Sequence, residues 1–295
     1  MSNIYRTKQS RRAGVLLIAP AVVFVGLFTL VPFLVMIWVS FHNWSLITPP
    51  KWVGLKNFEK AFSDRQFWIS LTFTLKYTAL LTPILMIGGY LIALLVAQNT
   101  PLRRVMRTVV FTPVVIGLGA SSLLWYWLFA TDAGLINKVL LDLGLISERV
   151  IWLGTDATRS NLAVIASITW KVIGFGMILF VAAIQSIDGE IIEASKIDGA
   201  SFWQRVWHII LPLTLKTVLL VTLVSVIGSL LAFDQFYIMT AGQPRNQTAT
   251  SVFYVYLNSF PYLKLGYGAA LSLILAGIVL VFTVAQMMLS RRAQG

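Results

Sequence analysis

Glu193-Ala194-Ser195-Lys196-Ile197-Asp198-Gly199, followed by Ile209-Ile210-Leu211-Pro212, lies in a polar interruption, Ser186 to Pro212, between two long apolar runs. After Asp188 the pattern predicts a short helix with Ile191, Ile192, Ala194 and Ser195 on one side. Gly199 is suited to end it, because glycine enters the left-handed region without steric cost. A second helix can begin at once: Ser201 has Gln204 three residues on, the spacing of a capping box, and Phe202, Val206 and Trp207 make an apolar stripe. The segment therefore reads as a helix, turn, helix knob. Its apolar members Ile191, Ile192, Phe202, Trp203 and Trp207 form a surface that calls for a partner.

The flanking runs set the class of fold. Hydrophobic residues are 58% of the chain and charged residues 12%, with a mean hydropathy of +0.81. A soluble domain with a water-facing surface has no room for such a balance. A bilayer is crossed by about 20 apolar residues, and runs of that kind occupy 13–41, 69–97, 109–130, 162–185, 213–236 and 267–289. We read an all-α polytopic membrane protein of six transmembrane helices, with residues 186–212 forming a loop between the fourth and fifth. The first run follows Arg11 and Arg12 as a signal peptide would, yet it is long and shows no convincing small-residue cleavage site, so it reads as a retained helix.

The formal net charge of +12 reflects topology rather than nucleic-acid binding, since no basic stripe with interleaved base-stacking aromatics occurs. Six spans place both termini on one side. That side collects Arg6, Lys8, Arg11, Arg12, Arg103, Arg104, Arg107, Lys196, Arg205, Lys216, Arg291 and Arg292. The opposite side carries fewer basic residues, and the excess is clearest in the short segments close to spans. Both termini and the Glu193 loop are accordingly expected in the cytoplasm.

Three connections lie on the outer side, His42 to Trp68, Thr131 to Ser160 and Ala241 to Leu263, each too short for a domain. Trp52, Gly54, Leu55, Asn57 and Phe58 form one amphipathic segment, and Gly134 to Leu143 another. Within the spans Pro20, Pro32, Pro83 and Pro113, with the pairs Gly88/Gly89, Gly117/Gly119 and Gly174/Gly176, mark kinks or close approaches.

The spacing of the polar interruption resembles the cytoplasmic signature of permease subunits in binding-protein-dependent ABC importers: Glu-Ala-Ala, three residues, Gly, nine residues, Ile-x-Leu-Pro. Glu193, Ala194, Gly199, Ile209, Leu211 and Pro212 stand at the matching offsets, and Ser195 replaces the second Ala. The resemblance continues through Trp170-Lys171, Ile184-Gln185-Ser186-Ile187, Phe233-Asp234-Gln235-Phe236-Tyr237, Thr240-Ala241-Gly242-Gln243-Pro244, and Gly266-Tyr267-Gly268-Ala269-Ala270. That run is similar to the first of the two permeases of carbohydrate importers, in a compact six-helix version.

The resemblance implies a fold and a set of partners. A second permease would complete a heterodimer in a bacterial or archaeal inner membrane. Two cytosolic P-loop ATPase subunits would bind ATP and Mg, and an extracytoplasmic binding protein would deliver a carbohydrate-type solute. The knob would insert into the ATPase, with Glu193 anchoring by charge or capping, Gly199 turning, Ala194, Ser195 and Ala200 allowing close approach, and Asp198, Phe202 and Pro212 completing the contact. No cofactor is expected in this chain itself.

The chemistry of the residues is consistent with a subunit powered from outside. The sequence lacks Gly-x-x-x-x-Gly-Lys-Ser/Thr, so ATP hydrolysis by the P-loop route is excluded. It has no cysteine, which excludes disulfides, thiolate metal sites and cysteine nucleophiles. His42 and His208 have no second ligand at metal spacing. A membrane-embedded enzyme would need clustered His, Asp, Glu or Cys at membrane depth. A stand-alone secondary transporter, the alternative reading, would need more intramembrane carboxylates than Asp234.

Lys76, Lys171 and Asp234 are the ionisable residues within spans, where a charge is costly unless it faces a cavity or a partner. Lys76 is read as snorkelling. Sugars are held through their hydroxyls and by aromatic stacking on their apolar faces. The candidate pathway residues are therefore Lys171, Ser225, Ser229, Asp234, Gln235, Tyr237, Tyr267 and Ser272. Lys171 and the basic outer loops leave room for an acidic sugar or a sugar phosphate.

Overall fold

The computed structural model describes residues 8–292, so Arg6 of the amino-terminal basic cluster lies outside the described residues. Among these residues four helices are long and apolar enough to cross a membrane. Two bent pairs pass the same test, giving six spans if each pair is one. The chain divides into two compact units. One runs to Ser63 and adds Val255–Ile274, and the other comprises Asp64–Tyr254 and the chain from Leu275 on.

In the first unit, α1 (Lys8–Val25) continues through a π turn at Gly26–Leu30 into α2 (Val31–Ser40). Pro32 has no N–H to give to the preceding turn, which accounts for the widening there. A two-stranded ribbon follows, β1 (His42–Asn43) against β2 (Lys51–Trp52), and then α3 (Lys56–Ser63). The sequence places Asn57 on an interfacial surface helix. In the structure its amide donates to the carbonyls of Ser40 (2.8 Å) and His42 (3.0 Å), tying α3 to the end of α2. His42 is buried, wedged between the Trp38 and Trp52 rings.

Two further helices, α13 (Ser251–Ser259) and α14 (Leu265–Arg292), close the chain. Gly266 packs so tightly on the His42 carbonyl, and Gly268 on the Ser259 hydroxyl, that neither position has room for a Cβ.

The second unit is organised on α4 (Arg65–Val96) and α8 (Ala157–Gln185), which pack along their lengths. Each begins on an aspartate cap: Asp64 accepts from the Gln66 N–H at 2.9 Å, and Asp156 from the Arg159 N–H at 2.7 Å. Gly89 lets the Met177 backbone come within 3.5 Å of where its Cβ would stand. Such small residues are how membrane helices reach van der Waals contact where water no longer drives them together. One apolar cluster forms around Tyr77, Leu81, Ile168 and Phe236, and a second around Val96, Met177, Phe180 and Val221.

The run expected as one span over 109–130 is a bent pair. α5 (Pro101–Val115) and α6 (Leu118–Leu128) meet at 99°, with Ile116 in the extended conformation between them. Helix α5 starts earlier than apolarity suggested because Thr100 caps it and Pro101 opens it. Pro113 removes a backbone donor near its end and favours the break. The run expected over 213–236 starts at a bend and is continuously helical only to Leu230. The helical segment Phe202–Leu213, which belongs mostly to the preceding loop, and α12 (Leu215–Leu230) meet at 73° around Thr214, whose hydroxyl bonds back to the Ile210 carbonyl at 2.8 Å. Beyond α12 the chain leaves the α-helix and passes through a π turn at Phe236–Thr240.

Helix α7 (Leu135–Asp142) matches the second amphipathic segment, but its Asn137 is buried. The Asn137 amide donates to the Val150 carbonyl (2.9 Å) and its oxygen accepts from the Trp152 indole (2.9 Å). The one ion pair among the described residues is Arg149 with Asp132, at 3.2 Å and largely exposed.

Gly174 marks the closest helix contact in this unit. A Cβ there would collide with the Val110 carbonyl and Phe111 backbone of α5, whereas one at Gly117 meets nothing within 4 Å. Gly174→Ala is therefore expected to destabilise the purified protein by about 1–3 kcal/mol, the usual cost of overpacking. Gly117→Ala should leave it unchanged, and detergent-based thermal unfolding of the two variants checks the contrast.

Candidate functional site

The polar interruption folds as two short helices around a glycine turn. α9 (Gly189–Ile197) is capped by Asp188, whose carboxylate accepts from the Glu190 N–H at 3.0 Å. Gly199 has φ +78°, and the Ala200 N–H returns to the Ser195 carbonyl at 3.0 Å, closing the helix end. The capping box forms in both directions: the Ser201 N–H donates to Gln204 Oε1 at 2.7 Å, and the Gln204 N–H to Ser201 Oγ at 3.4 Å. α10 (Phe202–Arg205) then passes through a π turn at Val206–Ile210 into α11 (Leu211–Leu213).

Glu193, Ala194, Asp198, Gly199, Phe202 and Pro212 are exposed, and Ala200 is half-buried. Ser195 differs from expectation. It is 7% exposed and its hydroxyl donates to the Ile192 carbonyl at 2.7 Å, so it packs inward on its own chain instead of admitting a partner.

Trp203 and Trp207 also have a role that the sequence did not reveal. With Val206 and Leu211 they wall an apolar groove of about 220 Å³ against Met86, Ile87, Tyr90, Leu91 and Leu94 of α4. The sequence reading missed Arg205 too, whose guanidinium donates to the Ala200 carbonyl and braces the turn from the second helix. Its signal was a long cationic side chain five residues after a turn carbonyl.

A cavity of about 230 Å³ lies between α4, α8 and α12, with Leu118 at the start of α6. It brings together Ser225, Ser229, Asp234 and Gln235 of the expected pathway set. Ser229 spends its hydroxyl on the Ser225 carbonyl at 2.6 Å. Gln235 is 5% exposed, and neither its amide nor the Asp234 carboxylate has a hydrogen-bond partner among the described residues. Tyr77, Phe175 and Gly228 line the same space and were missed; apolar periodicity assigns them to helix faces without saying which face is hollow.

The other four expected pathway residues stand elsewhere. Lys171 is 6% exposed and is not part of the cavity wall. Its ammonium donates to the carbonyls of Pro113 (3.1 Å) and Val114 (2.8 Å), at the C-terminal end of α5 where backbone acceptors are left over. It does not pair with Asp234. Tyr237 is 44% exposed and stacks on Phe233, with ring centroids 5.3 Å apart. Tyr267 and Ser272 belong to the other unit. There Tyr267 is buried beneath the Lys60 ammonium, 4.3 Å from its ring centre, and Ser272 donates to the Gly268 carbonyl at 2.9 Å.

Lys76 is exposed, as a snorkelling residue would be. Among the described residues no cluster of three or more His, Asp or Glu stands where a metal would be held.

A mainly helical chain with up to six spans among its described residues, an exposed knob before the fifth and a cavity between helices suits a transport permease. The chain belongs to the family of binding-protein-dependent transport system inner membrane components, whose model matches residues 86–295.

Over 280 residues it is 31% identical to the probable starch degradation products transport system permease protein AmyD of Thermoanaerobacterium thermosulfurigenes, covering 95% of this chain and 94% of that one. Over 283 residues it is 33% identical to the lactose transport system permease protein LacF of Rhizobium radiobacter, covering 94% of each. Its fold is shared with a chain in the crystal structure of a bacterial alginate ABC transporter in complex with an alginate pentasaccharide-bound periplasmic protein. There the TM-score is 0.85 at 22% identity, over 99% of this chain and 98% of that one.

Proposed function

We propose that this permease subunit pairs with a second permease to form an alternating-access pathway for a sugar or sugar-like solute. Two cytosolic ATPase subunits, holding ATP and Mg, drive it through the Glu193–Pro212 knob, and an extracytoplasmic binding protein delivers the solute. Both termini lie in the cytoplasm of a multi-pass inner-membrane protein. The names of the relatives, for starch degradation products and for lactose, support the solute class.

The observation that carries the reading is the knob. Its exposed Ile191, Ile197 and Phe202 flank a hydrogen-bonded glycine turn that connects, through α11, to α12 on the wall of the cavity. Apolar side chains held out beside such a turn are what a groove-binding partner takes up. Closure of the ATPase pair would then move α12 as a lever and alternate the accessible side.

The test is to tag the carboxyl end, express the chain in its host, solubilise gently and identify what co-purifies. A second six-helix permease and a P-loop ATPase are expected. With Gly199→Pro the ATPase is expected to be lost, because proline holds φ near −65° and the turn requires +78°. A lone protein, unchanged by the substitution, would return the chain to the stand-alone transporter class.

A further inference from the structure

We propose that the cavity between α4, α8 and α12 takes an uncharged polyhydroxy solute, and that Asp234 is the residue that excludes anionic ones. This rests on the transport reading above and narrows its solute class.

The argument is one of charge placement. Asp234 is the only ionisable acidic or basic residue on the cavity wall, and no Lys, Arg or His lines it. Among the described residues no cation pairs with Asp234. Lys171, with the basic outer loops, left room for an acidic sugar in the sequence; within the spans that ground is gone, because its ammonium is committed to the Pro113 and Val114 carbonyls.

A carboxylate in a hollow lined mostly by apolar side chains, with no cation among them, repels a second carboxylate or a phosphate, because such surroundings screen less than water. Toward a neutral sugar the same group is an acceptor for hydroxyl donors. Beside it the Gln235 amide, buried and unpartnered, offers both a donor and an acceptor. The Phe175 side chain, 39% exposed, supplies apolar area for the C–H face of a sugar ring.

The experiment uses the complete transporter with its binding protein in proteoliposomes. It compares uptake of labelled maltose, lactose and trehalose with glucuronate, glucose 6-phosphate and glucosamine. At least one neutral sugar is expected to enter, with each anionic probe about tenfold slower or worse. Asp234→Asn should slow neutral uptake, since it removes an acceptor for sugar hydroxyls, and should raise the ratio of anionic to neutral uptake; Asp234→Lys should admit an anionic probe.

Entry of an anionic probe at the neutral rate in the wild type overturns the proposal, as does discrimination unaltered in both variants. Glucosamine entering ahead of every neutral sugar overturns it in favour of a cation site. An assembled complex idle toward all the neutral sugars also counts against it. Failure to recover the ATPase with this chain would instead overturn the transport reading beneath it.

Discussion

Gly228→Trp reduces solute uptake to less than about one hundredth while leaving the subunit folded and its partners bound. Gly228 lies on α12 facing the cavity, and a Cβ built on it meets nothing within 4 Å, so the position opens onto empty space of about 230 Å³. A methyl group there is tolerated. Gly228→Ala is expected to keep full uptake and to gain about 0.5–1 kcal/mol, because glycine in a helix interior surrenders more backbone freedom on folding. An indole fills the hollow from the wall of the proposed pathway.

The measurement is uptake in proteoliposomes beside basal ATPase activity and co-purification of the partners. Loss of uptake alone, absent in Ala, partial in Leu and near complete in Trp, is the predicted pattern. Normal uptake in the Trp variant would mean that the solute takes another route.

Lys171→Met is the second substitution with a large expected effect, and it acts through structure. The Lys171 ammonium holds two carbonyls at the end of α5, immediately before the chain turns by 99° into α6. A cation at a helix C-terminus is favoured by the helix dipole as well as by the hydrogen bonds. Met fills similar volume and donates nothing, leaving the Val114 carbonyl unsatisfied in apolar surroundings, while the Pro113 carbonyl keeps the Ile116 N–H at 3.2 Å. The expected loss is about 1–3 kcal/mol, since hydrogen bonds from charged donors are the stronger ones and the abandoned acceptor keeps its desolvation cost.

Thermal unfolding in detergent reads the stability, and protease sensitivity of the α5–α6 junction reads the bend. Lys171→Arg should recover much of both, because a guanidinium can still donate to the pair. If Met behaves as wild type in both measurements, the ammonium is not what holds the bend.

The knob was the most legible part of the chain because its determinants are local. An aspartate cap, a glycine at the turn and a Ser-to-Gln capping box lie within seventeen residues, 188–204, and each acts on its nearest neighbours. What the sequence left open was the sidedness of that knob. Ser195 is small and polar, and nothing in its neighbours tells whether it faces a partner or its own helix carbonyl. Trp203 and Trp207 read as partner-facing until α4, more than a hundred residues earlier, supplied the other wall of their groove.

The cavity was half legible for the same reason. Ser225, Ser229, Asp234 and Gln235 were found as polar residues in an apolar run, where they stand out. Tyr77, Phe175 and Gly228 look like any lipid-facing or core residue until helix packing leaves a gap beside them. Lys171 shows the reverse error. A lone cation at membrane depth needs a partner, but its partners are backbone carbonyls at a break that Pro113 marks in the sequence without telling which side chain reaches it.

The single ion pair among the described residues, Arg149 with Asp132, lies on the surface and contributes little to stability. The fold is carried by close-packed glycines, buried amides and a lysine held by carbonyls, none of which ionic strength reaches. Concentrated salt can therefore wash charge-held peripheral proteins from this subunit without unfolding it. Its stability outside the native membrane is expected to follow instead the thickness of the hydrocarbon that surrounds its spans.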